Sequence, residues 1–358
     1  MQEKDSIFEQ MVTRGHERLC FHHDKETGLR AIIAIHSTAL GNALGGTRRW
    51  CYASEADAVY DVLRLSKGMT YKAAVSGLPM GGAKSVILTP SRDYQKTEAE
   101  AKAMGRFVDS FNGAYIAAED VGVDTQFVDW MASETKHVMG GETVSTGGDP
   151  SPWTAMGTFH GMKACLIHAG LGESFDGKVV AMQGVGSVGQ NLCKLLTEAG
   201  ATVKVADIKQ EKVDFVVEEY GCAQVSNDEI LTTECDILAP CALGGVIDGM
   251  LVQQLKCPIV CGAANNILGD PEEDGAALKH AGILYGPDFV VNAGGLIHLA
   301  GLHLGMSEET LQQKNGEIFD TTVEILERGE MTASTYAAAV EVAKNRIERG
   351  QETELHAS

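Results

Sequence analysis

Residues 177–207, GKVVAMQGVGSVGQNLCKLLTEAGATVKVAD, constrain the fold more than any other stretch. Residues 179–182 form a short apolar run of the buried-strand kind. Gly184, Gly186 and Gly189 follow in G-x-G-x-x-G spacing. Val188, Leu192, Leu195 and Leu196 then recur at helical intervals, residues 202–206 make a second apolar run, and Asp207 closes it. Strand, tight turn, helix and strand in direct succession predict a βαβ unit with parallel strands.

Each glycine has a physical job in such a unit. The first permits a tight turn, the second lets a pyrophosphate approach the backbone, and the third lets the helix pack close to the strand. The N–H groups of the loop, across Val185, Gly186, Ser187, Val188 and Gly189, face the phosphates. A carboxylate at Asp207 can accept hydrogen bonds from both ribose hydroxyls and repels a 2′-phosphate. The expected cofactor is therefore NAD rather than NADP.

Strands predicted at 179–182, 202–206, 222–225, 235–239, 258–261 and 283–285 alternate with helices, the pattern of a parallel, doubly wound sheet. The N-terminal part reads differently. A short helix leads into strands at 17–24 and 29–37. Ser54 caps a helix running to about residue 67, and strands follow at 85–88 and 115–118. Helices are expected over 96–112 and 126–138. Residues 40–47 are glycine-rich. Residues 140–152, GGETVSTGGDPSP, read as a loop and a domain boundary. The expected fold class is α/β with two domains. Residues 1–145 form an α+β substrate and oligomerisation domain, and 146–330 a Rossmann-type doubly wound NAD-binding domain. A C-terminal helix at about 331–358 packs back on the first.

A chain of 358 residues suits two domains of ~150 residues. The net charge of −20 argues against nucleic acid and anionic membrane surfaces as partners. Nine cysteines lie scattered, without a C-x-x-C pair. That fits a reducing cytoplasm and neither a disulfide framework nor a metal site. No apolar run has the length of a membrane span, and the acidic N-terminus does not resemble a targeting peptide.

Lys72 and Lys84 flank the glycine-rich loop around Gly77, Gly81 and Gly82. An ammonium in apolar surroundings needs an anionic partner, which a substrate carboxylate supplies, and desolvation fits it for proton chemistry. Glu119 and Asp120 end an apolar strand; if the strand continues, only one of them faces a given cleft. Asn265 and Asn266 follow the strand at 258–261, at the carboxyl end where ligands of open α/β sheets bind. Asn292 precedes another helix at a similar place. Cys241 ends a strand but has no basic neighbour to activate it as a nucleophile.

Taken together these motifs resemble the amino acid dehydrogenase family that includes the leucine, valine, phenylalanine and glutamate enzymes. The resemblance rests on Leu44-Gly45-Gly46-Thr47-Arg48, Lys67-Gly68-Met69-Thr70-Tyr71-Lys72, Pro79-Met80-Gly81-Gly82-Ala83-Lys84, Glu119-Asp120-Val121-Gly122 and the glycine loop. Ala239-Pro240-Cys241-Ala242, residues 262–266 and residues 292–295 complete it. It implies that Lys72 binds the substrate α-carboxylate with Gly45, Gly46 and Met69. Lys84 activates the attacking water, and Asp120 is the general acid/base. Thr154, Cys241, Ala242, Ala263, Asn265 and Asn292 join the cofactor site, with Asn265 and Asn266 near the reacting carbon. Hydride leaves Cα for the nicotinamide, water attacks the iminium, and ammonia and a 2-oxo acid are released, within a cleft that closes about a hinge near 140–152. The family also implies a homo-oligomer.

In glutamate dehydrogenases a lysine precedes the Gly-Gly pair and binds the side-chain carboxylate. Leu44 stands there in this sequence, which disfavours glutamate. The other pocket positions implied by the family, Ala118, Leu296 and Leu299, are apolar. Leucine and other branched-chain amino acids are the favoured substrates, with phenylalanine or another aromatic as the alternative. A non-catalytic NAD-binding sensor is the third reading.

Overall fold

The structure is a computed structural model that describes residues 6–143, 148–242 and 244–357, with side chains described to residue 350. It divides into two compact units, residues 1–148 with 344–358 and residues 149–343. The boundary expected between 145 and 146 lies outside the described residues.

The first unit contains α1 (Ile7–Arg14), β1 (Arg18–His23), β2 (Arg30–Ser37), β3 (Ala43–Trp50), α2 (Glu55–Val75), β4 (Gly81–Leu88), α3 (Glu98–Asp109), β5 (Tyr115–Ala118) and α4 (Thr125–Ala132). Its sheet has the order β1-β2-β4-β3-β5. β1 and β4 are antiparallel to β2, whereas β3 is parallel to both β4 and β5. Alternation along β2 organises the two faces. Ala31, Ile33 and Ile35 pack with Met104, Phe107, Phe127 and Met131 of α3 and α4. Ile32 and Ala34 pack instead with Val59, Val62 and Leu63 of α2. Ser54, Thr97 and Asp124 cap α2, α3 and α4 by accepting hydrogen bonds from backbone N–H groups three residues on.

Several details differ from the sequence expectation, among them β4, which begins at Gly81 rather than at residue 85 and so takes in two glycines read as loop. The glycine-rich residues 40–47 contribute most of β3, an interior strand, although glycine has little strand propensity. α2 does not stop near residue 67. It continues through Gly68 to Val75, because Thr70, Tyr71, Ala73, Ala74 and Val75 are buried, and that packing outweighs the cost of an interior glycine. α4 ends at Ala132, after which Val138 forms a single bridge with Ala117.

The second unit contains α5 (Ser151–His168), β6 (Val179–Gln183), α6 (Ser187–Glu198), β7 (Thr202–Ala206), α7 (Gln210–Tyr220), β8 (Ala223–Gln224), β9 (Ile237–Pro240), α8 (Gly249–Val252), β10 (Ile259–Val260), α9 (Glu273–His280), β11 (Leu284–Tyr285), α10 (Asp288–Val291), α11 (Gly294–His303) and α12 (Glu308–Gly329). α13 (Thr335–Ala357) begins there and runs on into the first unit. Residues 331–343, grouped with the first domain on sequence, pack in the second: Thr335 Oγ1 donates to the Tyr285 carbonyl at 2.7 Å, and Tyr336 meets Phe289 edge-on.

The six strands run β8-β7-β6-β9-β10-β11, all parallel. Counted from β6 this is 3-2-1-4-5-6, the order of a Rossmann sheet, with its switch point between β6 and β9. Both faces are covered. Val180, Met182, Ile237, Ala239 and Ile259 join one core, while Ala181, Leu238 and Val260 join the other. A parallel sheet covered on both faces by helices needs strands that are apolar at every position, which is why these strands read as continuous apolar runs.

Candidate active site

In the first unit the site begins with a close approach of backbone. β3 lies between β4 and β5, and Leu44, Gly45 and Gly46 pair across to Gly82, Ala117 and Ala118. A Cβ on Gly46 would lie 2.9 Å from Asp120 Cβ and 3.1 Å from Lys84 Nζ, so the missing side chain is what lets those two residues meet. A Cβ on Gly45 would collide with the Ala83 carbonyl. Beneath them Tyr115 donates to the Gly45 carbonyl at 3.0 Å, and its hydroxyl pairs with Ser85 Oγ, which donates to Thr47 Oγ1. This hydroxyl chain pins β3, β4 and β5 together under the glycines.

Lys84, on β4, is 5% exposed, and its Nζ lies 2.9 Å from Asp120 Oδ2. Burial makes the Lys84 ammonium easier to deprotonate, with Asp120 acting against that shift. Burial also opposes ionisation of Asp120, but Lys84 and Arg48 together outweigh it and hold the carboxyl below its usual range. The chain does not continue as a strand past Ala118. It turns, with the Val123 N–H donating to the Asp120 carbonyl, which leaves Glu119 exposed and brings Asp120 to Lys84.

Met69 and Lys72, one turn apart on α2, are both half-buried. Leu44 is buried and Ala118 half-buried at the end of β5. Arg48 and Asp61 were missed as site residues by the sequence reading. Arg48 Nε donates to Asp120 Oδ2 at 2.9 Å and its Nη1 to Asp61 Oδ2 at 3.0 Å. Only the position of Arg48 inside the Gly-Gly segment could have drawn notice to it.

In the second unit the three loop glycines have three different surroundings. Gly184 has φ +95°, and a Cβ there would meet Ala242. A Cβ on Gly189 would strike the Gly184 carbonyl, so this glycine sets how closely α6 packs. A Cβ on Gly186 would meet only the end of the Lys212 side chain, its Nζ at 4.0 Å. Gly186 is also the N-cap of α6 and offers no side-chain cap, leaving N–H groups of the first turn for an anion. Asp207 supports the loop from β7: its Oδ2 accepts from the Val185 N–H and its Oδ1 from the Lys209 N–H, both at 2.9 Å. Ser187 Oγ donates to Asp149 at 3.2 Å, a partner that sequence reading did not assign. Val188 is half-buried.

Past β9 and β10, the Ala263 N–H donates to Cys241 Sγ at 3.5 Å, and burial pushes the Cys241 thiol up to about 12, unsuited to a nucleophile. Asn292 Nδ2 donates to Asn265 Oδ1 at 2.8 Å and to the Ala263 carbonyl at 3.1 Å. Its Oδ1 is buried with no hydrogen-bond partner. An orphaned amide oxygen, a glycine approached only by a lysine ammonium and an uncapped helix start fit a bound dinucleotide. Asn265 and Asn266 are exposed, Asn266 with φ +54°. Thr154 Oγ1 donates to the Pro150 carbonyl and would touch a Cβ on Gly295. Leu296 and Leu299, one turn apart on α11, are half-buried; His298 between them stacks on Trp153 at 4.7 Å.

A 3-2-1-4-5-6 sheet with this loop and acid, in a chain that also carries a buried lysine–aspartate pair, defines a dinucleotide-dependent dehydrogenase. The model of the Glu/Leu/Phe/Val dehydrogenase dimerisation domain matches residues 16–137, and that of glutamate/leucine/phenylalanine/valine dehydrogenase matches residues 203–352. The chain is 45% identical to leucine dehydrogenase of Thermoactinomyces intermedius, over 97% of this chain and 95% of that one. It is 43% identical to valine dehydrogenase of Streptomyces virginiae, over 93% and 94% of the two chains. The crystal structure of L-tryptophan dehydrogenase from Nostoc punctiforme superposes with a TM-score of 0.85 at 39% identity, covering 96% of this chain and 99% of that one. The chain belongs to the Glu/Leu/Phe/Val dehydrogenase family. It is an amino acid dehydrogenase, and its cofactor is NAD. Among the described residues no helix is long and apolar enough to cross a membrane.

Proposed function

We propose that the protein oxidatively deaminates leucine and other branched-chain L-amino acids, reversibly, to the 2-oxo acid and ammonia. The observation that carries the chemistry is the buried Lys84–Asp120 pair, brought together on the bare backbone of Gly46. Lys72, with Gly45, Gly46 and Met69, binds the substrate α-carboxylate. The 184–189 loop, Asp207, Thr154, Cys241, Ala242, Ala263, Asn265 and Asn292 would hold NAD, which when bound would supply the acceptor for the Cα hydride. Asp120 takes a proton from the substrate ammonium and releases it to solvent; it then takes a proton from the water, polarised by Lys84, that attacks the iminium carbon, and returns that proton to the nitrogen, which leaves as ammonia. The ammonium of Lys84 stabilises the negative charge on the carbinolamine oxygen as the emptied Asp120 carboxylate takes its hydroxyl proton, and that charge flows into the new carbonyl as the C–N bond breaks.

Leu44 and Ala118 in the first unit are apolar, as are Leu296 and Leu299 in the second, and Leu44 offers no charge to a glutamate carboxylate. The 45% identity with leucine dehydrogenase supports a branched-chain substrate. An aromatic amino acid is the second reading, supported by the likeness to L-tryptophan dehydrogenase. The dimerisation-domain match supports a homo-oligomer, and the free cysteines support a cytoplasmic setting. The test is NADH formation with leucine, valine, phenylalanine, tryptophan and glutamate in parallel. Leucine or valine should give the highest kcat/KM and glutamate essentially none. An aromatic preference would replace the substrate assignment. No turnover with any of them, or loss of NAD affinity rather than turnover in Lys84→Ala, would overturn the site.

A further inference from the structure

Arg48 stands in a chain of alternating charge that crosses four elements. Lys84 on β4 meets Asp120 after β5; Asp120 meets Arg48 on β3; Arg48 meets Asp61 on α2; and Asp61 meets Arg64 one turn on at 3.1 Å. The Tyr52 hydroxyl, between β3 and α2, donates to the same Asp61 oxygen at 2.8 Å. Arg48 and Asp61 have side chains only 21% and 15% exposed, so solvent screens this pair less than a surface pair.

The contacts on Asp120 are one-sided. Arg48 Nε and Lys84 Nζ both approach Oδ2, each at 2.9 Å. No described residue donates a hydrogen bond to Oδ1. Two cations on one oxygen restrain the carboxylate at Oδ2 and leave Oδ1 as the oxygen available to a substrate.

We propose that Arg48, oriented by Asp61, is a positioning residue that directs Asp120 Oδ1 to the substrate and sets how readily the Lys84–Asp120 pair exchanges protons. This rests on the reading of Lys84 and Asp120 as the reacting pair. The charge of Arg48 acts on both members in one direction, because a cation favours the deprotonated form of each, while Asp61 acts on both in the other. The remaining groups that face the cluster are Tyr52, Arg64 and Tyr115. Burial pushes both tyrosines up, so they stay neutral through the working range. The competing account is a structural tie between β3 and α2, and the two differ in what pH does.

The experiment is the pH profile of kcat/KM for L-leucine oxidation by NAD, on the full chain, for Arg48→Gln, Arg48→Lys, Asp61→Asn and Tyr52→Phe. In Arg48→Gln the acidic limb should move to higher pH by about one unit. In Asp61→Asn it should move to lower pH by roughly half a unit, because Arg48 then acts on the pair uncompensated. Arg48→Lys should restore the limb more than the rate, since lysine keeps charge but loses the fork that spans both carboxylates. Lower kcat with unmoved limbs in both charge variants would overturn the inference and leave only the tie. Should Arg48→Gln fail to fold, Asp61→Asn and Tyr52→Phe decide alone; a limb that stays put or moves to higher pH in Asp61→Asn refutes it. Asp120→Asn separates the two levels: full turnover there would sink the proposed function itself, whereas lost turnover with static limbs sinks only this inference.

Discussion

Gly46→Ala tests whether the absence of one side chain builds the reactive pair. Gly46 has no left-handed φ, so alanine brings no backbone strain and its effect is steric alone. The new Cβ would sit 2.5 Å from the Glu119 carbonyl oxygen, 2.9 Å from Asp120 Cβ and 3.1 Å from Lys84 Nζ, whereas ordinary contact begins at 3.4 Å. The Lys84 ammonium is the flexible end of a long chain and can give way. The 119–120 backbone is tied by the Val123 N–H and by Arg48, so it must shift by about half an ångström or more. Overpacking of this size costs about 1–3 kcal/mol of stability, which lowers Tm by about 2–4 °C per kcal/mol. A displaced acid/base costs more in rate. Misplacement by about 1 Å lowers kcat/KM roughly 100-fold, whereas NAD affinity, set in the second unit, should stay within about twofold. Steady-state kinetics with L-leucine, fluorescence titration with NADH and a thermal melt measure the three quantities. A Gly46→Ala protein with kcat/KM within about threefold of wild type would refute the view that this glycine makes room for the pair.

Asp207→Ala removes the acceptor of the Val185 N–H and the carboxylate expected at the ribose. Affinity for NAD should fall about 10-fold or more while NADP loses less, so the ratio of dissociation constants narrows; an unchanged ratio would displace Asp207 from cofactor selection. Arg49→Ala strands Glu100, a buried partner at 3.0 Å whose carboxyl burial already pushes up. Unfolding free energy should drop by about 3–5 kcal/mol. Glu100 then has a folded-state pKa above its unfolded one, so the deficit should be larger at pH 8 than at pH 5; a pH-independent loss would show that Glu100 is not the cause. His16 and His36 are depressed to about 4 from an ordinary 6.5, mainly by burial. Their folded values lie below the unfolded ones, so the stability they contribute is full above about pH 6.5 and is lost as pH falls toward 4. Denaturant midpoints across that range should fall in the wild type and fall less steeply in His36→Asn, and parallel curves would contradict this.

Where a feature is written in consecutive or periodic residues, the sequence was enough. The glycine loop, its flanking strands and Asp207 interact over about one βαβ unit, so their spacing alone specifies a turn, a helix start and an acid at a strand end. The apolar periodicity behind the helix expected over 96–112 likewise matched α3, which spans Glu98–Asp109, because a helix buries one stripe whatever lies opposite. Lys72 and Lys84 stood out by residue type in glycine-rich surroundings, whereas their roles and the choice of Asp120 over Glu119 came from the resemblance, the strand-end reading having left those two acids undecided. The turn after Ala118 brings Asp120, and not Glu119, to Lys84.

Other features have no local signature. Gly45 and Gly46 weaken strand propensity, yet β3 is an interior strand, since only their bare backbone allows the Ala83 carbonyl and the Lys84–Asp120 pair so near. Gly68 reads as a helix end, yet burial of residues 70–75 carries α2 past it. The Arg48–Asp120 contact joins residues 72 apart, and that to Asp61 bridges strand and helix. Sequence by itself determined the family and most of the strands and helices, because those follow from motif spacing and apolar patterning. Only the tertiary structure decided which glycine makes room and which cation holds the acid, because close approach and charge pairing depend on distances that chain order does not contain.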